Sequence, residues 1–298
     1  MDTIGIGLNV WNGEVTIKRV LLSLLKQSYK KIKIHILDNQ STDRTTKIIK
    51  ELQSKYKNKI KIHVSKKKTD IPTAQRTLVK KYLKNYNYSL LANDDDTYNK
   101  NYILELLKLS KKHNADLTFS NFNMIDINNN ITNPKIKFAK PGTSKFLNVV
   151  KFLFVRTSYP MFFGLFKTNS LLKSIEHHRP IGKTKSNYDT LFALNFLSKN
   201  KVIFLNKKIF NYALKERLII QKNKGGYKVI YNQISSLYKI YHVQYELSLT
   251  FVKTIIKEKN ISKLKIFFLT IFIFFIFFQK CTSYQVKFLI RKMSDIIL

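Results

Sequence analysis

Short apolar runs alternate with longer amphipathic stretches from the first residue as far as Phe122, and no other feature of the sequence narrows the fold so far. Ile4–Val10 reads as a strand. Residues 14–27 carry Val15, Val20, Leu21, Leu24 and Leu25 at helical spacing. Residues 32–37 read as a second strand, and 43–56 as a helix with Ile48, Ile49 and Leu52 turned inward. Ile60–Val64 is a third strand, Pro72 opens a helix that runs on through 74–86, and Tyr88–Ala92 is a fourth strand. A helix over Tyr102–His113 and a strand over 116–122 complete the series. Strands separated by helices imply crossover connections and an α/β fold with a mostly parallel sheet flanked by helices. In such sheets ligands bind beyond the carboxyl ends of the strands. The informative polar residues fall there: Trp11-Asn12 after the first strand, Asp38-Asn39 after the second, and Asp94-Asp95-Asp96 after the fourth.

Further along, 128–143 is a polar loop, and helices are expected at 144–155, 169–177 and 188–198. Gly225-Gly226 marks a break before a helical pattern over 227–256. The apolar segment 266–278 is too short to span a bilayer, which takes about 20 residues as a helix. Lysines flank it, and it reads as an interfacial or re-entrant membrane anchor, with a buried core helix as the other reading. The expected organisation is a catalytic domain over 1–215, divided into 1–125 and 126–215, and a helical, membrane-associating extension over 216–298.

Charge and cysteine content bear on partners and compartment. With 54 Lys and Arg against 18 Asp and Glu, the formal net charge is +36, a field that attracts anions of any kind. Part of that excess belongs to a chain rich in Lys, Ile, Asn and Phe. The remainder favours an anionic membrane surface or an anionic substrate. The single cysteine, Cys281, excludes an intramolecular disulfide framework and a cysteine-rich zinc site. The amino terminus has no basic start followed by an apolar run, so the expected location is cytoplasmic, peripheral to the inner face of the membrane.

Three adjacent carboxylates repel one another, so a loop holding Asp94, Asp95 and Asp96 gains from a cation. Hard oxygen ligands fit Mg²⁺ or Mn²⁺, which take one or two carboxylates and complete their shell with substrate phosphates. An acidic turn is the plainer reading of the run alone. In Asp38-Asn39-Gln40-Ser41-Thr42-Asp43, Asp38 can accept a hydrogen bond from a nucleobase imide, while Ser41 or Thr42 caps the following helix. His177-His178-Arg179 reads as a basic helix terminus, because adjacent side chains on a helix diverge by about 100° and do not readily share one metal.

In this order the pieces resemble glycosyltransferase family 2, the GT-A-fold nucleotide-sugar transferases. The resemblance is close over residues 3–125 and looser over 155–215. Family members end the first strand in Tyr-Asn, where this chain has Trp11-Asn12. They follow with Ser-x-x-x-Gln and Asp-Asp-Gly-Ser-x-Asp-x-Thr, matched by Ser23, Gln27, Asp38, Ser41, Asp43 and Thr45. Asn39-Gln40 stands for Asp-Gly, and Asn39 is expected to tolerate left-handed geometry in place of the glycine. The resemblance implies that Arg76, in Ala74-Gln75-Arg76-Thr77, reaches the base or the diphosphate. The family's Asp-x-Asp metal motif aligns in two ways, on Asn93 and Asp95 or on Asp94 and Asp96, so all three aspartates are metal candidates. The segment at Gly164-Leu165-Phe166 is similar to one that shapes the acceptor side. Asp189 aligns with the second acid of a Glu-Asp pair, the general base of inverting members, while Tyr188 takes the place of the Glu.

The resemblance implies a metal-dependent transferase, with Mn²⁺ or Mg²⁺, moving a sugar from a nucleotide diphosphate such as UDP to a hydroxyl acceptor. Asn12, Asp38, Arg76 and Asp94 would bind the donor. The expected acceptor is a cell-envelope or lipid-linked glycan or glycolipid, and no nucleic-acid partner is expected. A nucleotidyltransferase of similar fold and a non-catalytic basic protein that binds membrane or nucleic acid are the rival readings. The first lacks a convincing glycine-rich phosphate loop in residues 7–14. The second predicts no ordered carboxylate site.

Overall fold

The computed structural model describes residues 2–126, 130–131, 140–142, 144–155, 159–178 and 188–213. All of them belong to one compact unit, residues 1–179 and 188–221. The expected anchor at 266–278, the break at 225–226 and most of the loop at 128–143 lie outside the described residues. Among the described residues no helix is long and apolar enough to cross a membrane.

The unit is an eight-stranded sheet in the order β3-β2-β1-β4-β7-β6-β8-β5, flanked by helices. Strand β1 (Ile4–Val10) pairs in parallel with β2 (Ile32–Asp38) on one side and β4 (Tyr88–Ala92) on the other. Strand β3 (Ile60–Val64) pairs in parallel with β2. Helices α1 (Ile17–Leu25), α2 (Thr45–Lys55) and α3 (Ile71–Thr77) make the crossovers. Ile4, Ile6, Leu8 and Val10 fill one face of β1, fully buried, and on the other Gly5 and Gly7 lie against Tyr86, Leu83 and Leu78, so both faces are covered.

The second half departs from the simple parallel series. Strand β7 (Leu165–Lys167) runs antiparallel to both β4 and β6 (Leu117–Ile125). The long β8 (Val202–Ala213) runs parallel to β6, and the two-residue β5 (Thr97–Tyr98) pairs antiparallel with it. Neither β5 nor β8 was expected, since 202–213 carries polar residues on its exposed middle and a clean period is absent. The expected helix at 74–86 also divides. After α3 the chain continues as one π-helical stretch, Leu78–Leu83, burying Leu78, Val79 and Leu83 against the sheet. Helix α1 begins later than its pattern suggests, and Val15 is 74% exposed. The remaining helices are α4 (Tyr102–His113), α5 (Lys145–Val155), α6 (Tyr159–Phe162), α7 (Thr168–Ser174) and α8 (Tyr188–Lys199), with a 3₁₀ turn at Ile175–His177.

Two local features make the fold testable. A Cβ on Gly164 would lie 2.5 Å from the Thr118 carbonyl oxygen and 2.6 Å from Leu117 Cδ1, so the turn into β7 admits no side chain. Gly164→Ala is expected to lower stability by about 1–3 kcal/mol, the usual range for overpacking, read as a lowered melting temperature.

On the face of β2 and β3, His35 and His63 face each other through ring nitrogens 3.1 Å apart, and His35 also bonds the Tyr86 hydroxyl at 2.8 Å. Burial, the neighbouring His63 and nearby lysines hold the His35 imidazole down to about 4, and burial also lowers His63. The folded state therefore resists protonation that the unfolded chain accepts near 6.5, and stability falls as pH drops from about 6.5 to 4. Urea unfolding at pH 7, 5.5 and 4.5 should show that decline, and His35→Gln should flatten it.

Candidate active site

The carboxyl ends of β1 and β2 lie level, Val10 opposite Asp38, and β4 ends two residues earlier, Ala92 opposite Leu8, so the loop carrying Asp94–Asp96 leaves on the same side. The loops leaving these ends are fastened to one another. Asn12 takes a left-handed backbone, φ 50°. Its amide donates to Ser41 Oγ at 3.0 Å, and its Oδ1 accepts from the Thr42 amide at 2.9 Å. The Gly13 amide donates to Thr45 Oγ1 at 2.8 Å, and the Glu14 amide to Asp43 Oδ2 at 3.1 Å. The Ser41, Asp43 and Thr45 pattern legible in the sequence is therefore the partner set of the first loop.

Asp38 is buried at the end of β2, with Oδ1 accepting from the Ser41 amide at 2.9 Å and Oδ2 from the Thr46 hydroxyl. Its carboxylate organises the loop that follows. The left-handed residue in that loop is Gln40, φ 63°, and not Asn39. The expectation for Asn39 is corrected accordingly: its side chain instead clasps Thr69, Nδ2 donating to the carbonyl at 2.7 Å and Oδ1 accepting from the amide at 3.0 Å. Gln40 holds the glycine position at a cost of about 1–2 kcal/mol in backbone strain. Its side-chain Nε2 donates to the Lys66 carbonyl at 2.9 Å.

The three aspartates after β4 separate by burial. Asp94 is half-exposed, and its Oδ2 would lie 3.0 Å from a Cβ on Gly13. The absent side chain at Gly13 thus leaves a cradle between the first loop and this carboxylate. Asp95 is nearly buried, and its carbonyl accepts from Arg19 Nη2 at 3.3 Å. Asp96 is fully buried, and its Oδ1 accepts from the Ala213 amide at 2.9 Å, pinning the end of β8 to the rim. Burial, followed by the Asp96 carboxylate, pushes the hydroxyl of the adjacent Tyr98 well up. Among the described residues no three His, Cys, Asp or Glu side chains gather as a metal-ligating cluster.

Arg76 lies on α3, whose first turn is capped by Asp70 Oδ1 accepting from the Thr73 amide at 2.7 Å. The guanidinium donates from Nη1 to the His178 carbonyl at 2.5 Å and from Nη2 to Thr73 Oγ1 at 2.8 Å. It is a tie between α3 and the segment after α7.

The sequence places His178 in a basic helix terminus, and the structure corrects this: the residue ends the 3₁₀ turn but is buried. Its side chain is fully buried, 4.5 Å from the Phe162 ring and 5.9 Å from Phe192, centroid to centroid. Its Nε2 lies 2.9 Å from Oδ1 of Asp189, which is one-third exposed in the first turn of α8. Burial holds the imidazole below its ordinary value more strongly than Asp189 raises it. The ring is therefore neutral at pH 7 and donates its Nε2 proton to the carboxylate. Sequence pattern alone offered no signal for this pair, because the partners are eleven residues apart.

The candidate residues thus form two groups. Asn12, Asp38 and Asp94–Asp96 share the rim of β1, β2 and β4. Arg76, His178 and Asp189 are linked to it through α3 and the Asn39–Thr69 clasp. Beside the rim Trp11 is 41% exposed, with Lys68 Nζ 3.1 Å from its ring centroid, a cation–π contact.

A parallel α/β core extended by an antiparallel β7, with acids at the strand ends, defines a GT-A-type transferase. The model of "Glycosyl transferase family 2" matches residues 6–175, more than half of the chain, and the protein belongs to that family. Solved structures agree on the fold. TarS from S. aureus, residues 1–349 in complex with UDP, superposes with a TM-score of 0.63 at 16% identity, covering 90% of this chain and 69% of that one. The same protein in complex with UDP-GlcNAc gives 0.63 at 17% identity, over 90% and 70%. The mannosyltransferase PcManGT from Pyrobaculum calidifontis, in complex with GDP-Man and Mn²⁺, gives 0.54 at 11% identity, over 85% and 64%. No curated protein sequence matches the chain significantly.

The tie made by Arg76 distinguishes two roles. As a tie, Arg76→Met should lower kcat for sugar transfer and leave donor KM within about twofold. As a diphosphate ligand, the same substitution should raise donor KM by about tenfold or more, since a charge-assisted hydrogen bond contributes about 1.5–3 kcal/mol.

Proposed function

We propose that the chain is an inverting transferase that moves a sugar from a UDP-sugar to a hydroxyl on a cell-envelope or lipid-linked glycan, acting on the cytoplasmic side of an anionic membrane. The observation that carries this reading is the shared rim, where the Asn12 loop, Asp38 and half-exposed Asp94 leave neighbouring strand ends on one side of the sheet, with Asp189 linked to them through α3. TarS is solved in complex with UDP and with UDP-GlcNAc and superposes at a TM-score of 0.63, against 0.54 for PcManGT with GDP-Man, which supports the choice of UDP over GDP. The net charge of +36 supports an anionic surface beside the acceptor.

In this mechanism the first loop and the Asp38 loop receive the nucleoside. Asp94 and Asp95 would hold Mn²⁺ or Mg²⁺, with Asp96 reserved for joining β8 to the rim. The cradle opposite Gly13 fits an ion that binds one or two carboxylates and completes its shell with diphosphate oxygens. When bound, the ion supplies neutralisation of charge on the departing diphosphate. Asp189 takes the proton of the acceptor hydroxyl while that oxygen bonds the anomeric carbon. The bond from the anomeric carbon to the diphosphate oxygen breaks, its electron pair leaving with the nucleoside diphosphate. An ordinary carboxylate serves here, because the hydroxyl becomes acidic only as the new bond forms.

The test is a panel of UDP- and GDP-sugars incubated with the protein and Mn²⁺, following release of the nucleoside diphosphate with and without membrane extract as acceptor. One UDP-sugar should turn over. Asp94→Asn should weaken Mn²⁺-dependent UDP binding, and Asp189→Asn should cut transfer by about 10²- to 10⁴-fold while UDP binding stays near wild type. Release of pyrophosphate from a nucleoside triphosphate would favour the nucleotidyltransferase reading. Tighter polyanion binding by Asp94→Asn with no sugar turnover would favour a charge-driven binder.

A further inference from the structure

We propose that His178 is a positioning residue for the reaction, a buried neutral hydrogen-bond donor that fixes the Asp189 carboxylate and assigns the proton-accepting role to Oδ2. This rests on the reading of Asp189 as the base and adds to it how that base is held.

The argument is geometric. Asp189 stands in the first turn of α8, one-third exposed, where a carboxylate side chain is free to rotate unless something holds it. His178 approaches from the other side of the chain, fully buried, with Nε2 at 2.9 Å from Oδ1. Its ring is confined by Phe162 at 4.5 Å and, edge-on, by Phe192 at 5.9 Å, so its orientation is set by packing. Its backbone is set independently, by the Arg76 guanidinium bonded to the His178 carbonyl. Both ends of the donor are therefore fixed before the acceptor arrives, and the carboxylate inherits that fixity.

The charges around the ring are consistent with a donor that does not itself become cationic. Arg76 is the facing cation, and Asp189 and Asp70 are the facing anions. A neutral imidazole gives Asp189 a hydrogen bond without neutralising the negative charge that a base needs. With Oδ1 taken by the Nε2 proton, the acceptor hydroxyl passes its proton to Oδ2. No atom of His178 joins or leaves a bond to the sugar.

The test compares His178→Phe and His178→Gln with wild type and Asp189→Asn, using the nucleotide sugar that turns over in the panel above. Gln places an amide N–H where Nε2 lies, and Phe fills the aromatic site without a donor. His178→Phe is expected to lower kcat by about 10- to 100-fold with donor KM unchanged, and His178→Gln to recover most of that loss. A ¹⁵N spectrum of the imidazole should show a protonated Nε2 and a bare Nδ1 at pH 7, with the Nε2 signal shifted in Asp189→Asn. Melting temperatures separate misfolding from loss of positioning, and if His178→Phe does not fold, the Gln variant and the spectrum still decide. Wild-type kcat in His178→Phe, equal losses in both variants, or a protonated Nδ1 at pH 7 would overturn the inference while Asp189→Asn stays inactive. Full transfer by Asp189→Asn would instead remove the base reading, and the inference with it.

Discussion

The pairing of β1 with its two parallel neighbours is the constraint on which the rest depends. Parallel strands need crossovers, so their carboxyl ends emerge on the same side, and here the register sets the ends of β1 and β2 level, with β4 ending two residues short of them. Because both faces of β1 are covered, a register slip would place polar Asn9 among apolar neighbours and disturb a strand whose aliphatic residues are all fully buried. The rim is thus fixed by the hydrophobic interior, and loops carrying Asn12, Asp38 and Asp94 need only be held to one another.

They are held chiefly by side chains bonding backbone amides of a different loop. Ser41, Thr42 and Asp43 meet Asn12 and Glu14, and Asn39 meets Thr69. Such bonds satisfy amides that a loop cannot pair with itself. The second set of contacts continues the line away from the sheet. Thr69 precedes the Asp70 cap of α3, α3 carries Arg76, and Arg76 grips the His178 carbonyl beside Asp189. An acid on a helix distant in sequence is in this way referenced to the strand ends by short polar links.

What the sequence made legible follows from periodicity and order. Strands β1 to β4 and the helices between them are bounded by apolar runs and polar strand ends, so their positions can be read directly, and Asn12, Asp38 and the aspartate run stand at those ends, whereas Asp189 is named only by the family resemblance. The misses have physical causes. Strand β8 is flanked by β6 and by the two-residue β5, with Lys207 and Lys208 on its exposed middle, so its pairing with β6 decides its conformation more than its own pattern does. The helix after Pro72 shows no interruption in its residues, yet the structure winds Leu78–Leu83 as a π-helix, a change fixed by packing on β1 and β2. His178 reads as surface charge because His-His-Arg is polar in composition, and only the fold encloses His178 between Phe162 and Phe192. Gln40 took the left-handed conformation that the neighbouring asparagine suits better, since Asn39 is engaged by Thr69.

Burial then separates aspartates that the sequence treats alike. Asp38 and Asp96 are nearly or wholly enclosed, and each accepts backbone amide protons that close a loop or a strand end. A carboxylate in that situation is held by fixed donors and contributes order. Asp94 and Asp189 retain exposure, and Asp189 has one named oxygen committed to a buried donor. The acids therefore divide between those enclosed at the rim, Asp38, Asp95 and Asp96, and those that keep exposure, Asp94 and Asp189. Replacing the first kind should be felt through folding before chemistry, and replacing the second kind through chemistry with the fold intact. The same acidic residue type serves both purposes because the number of enclosed amides around it, and not its place in a motif, determines which role it can fill.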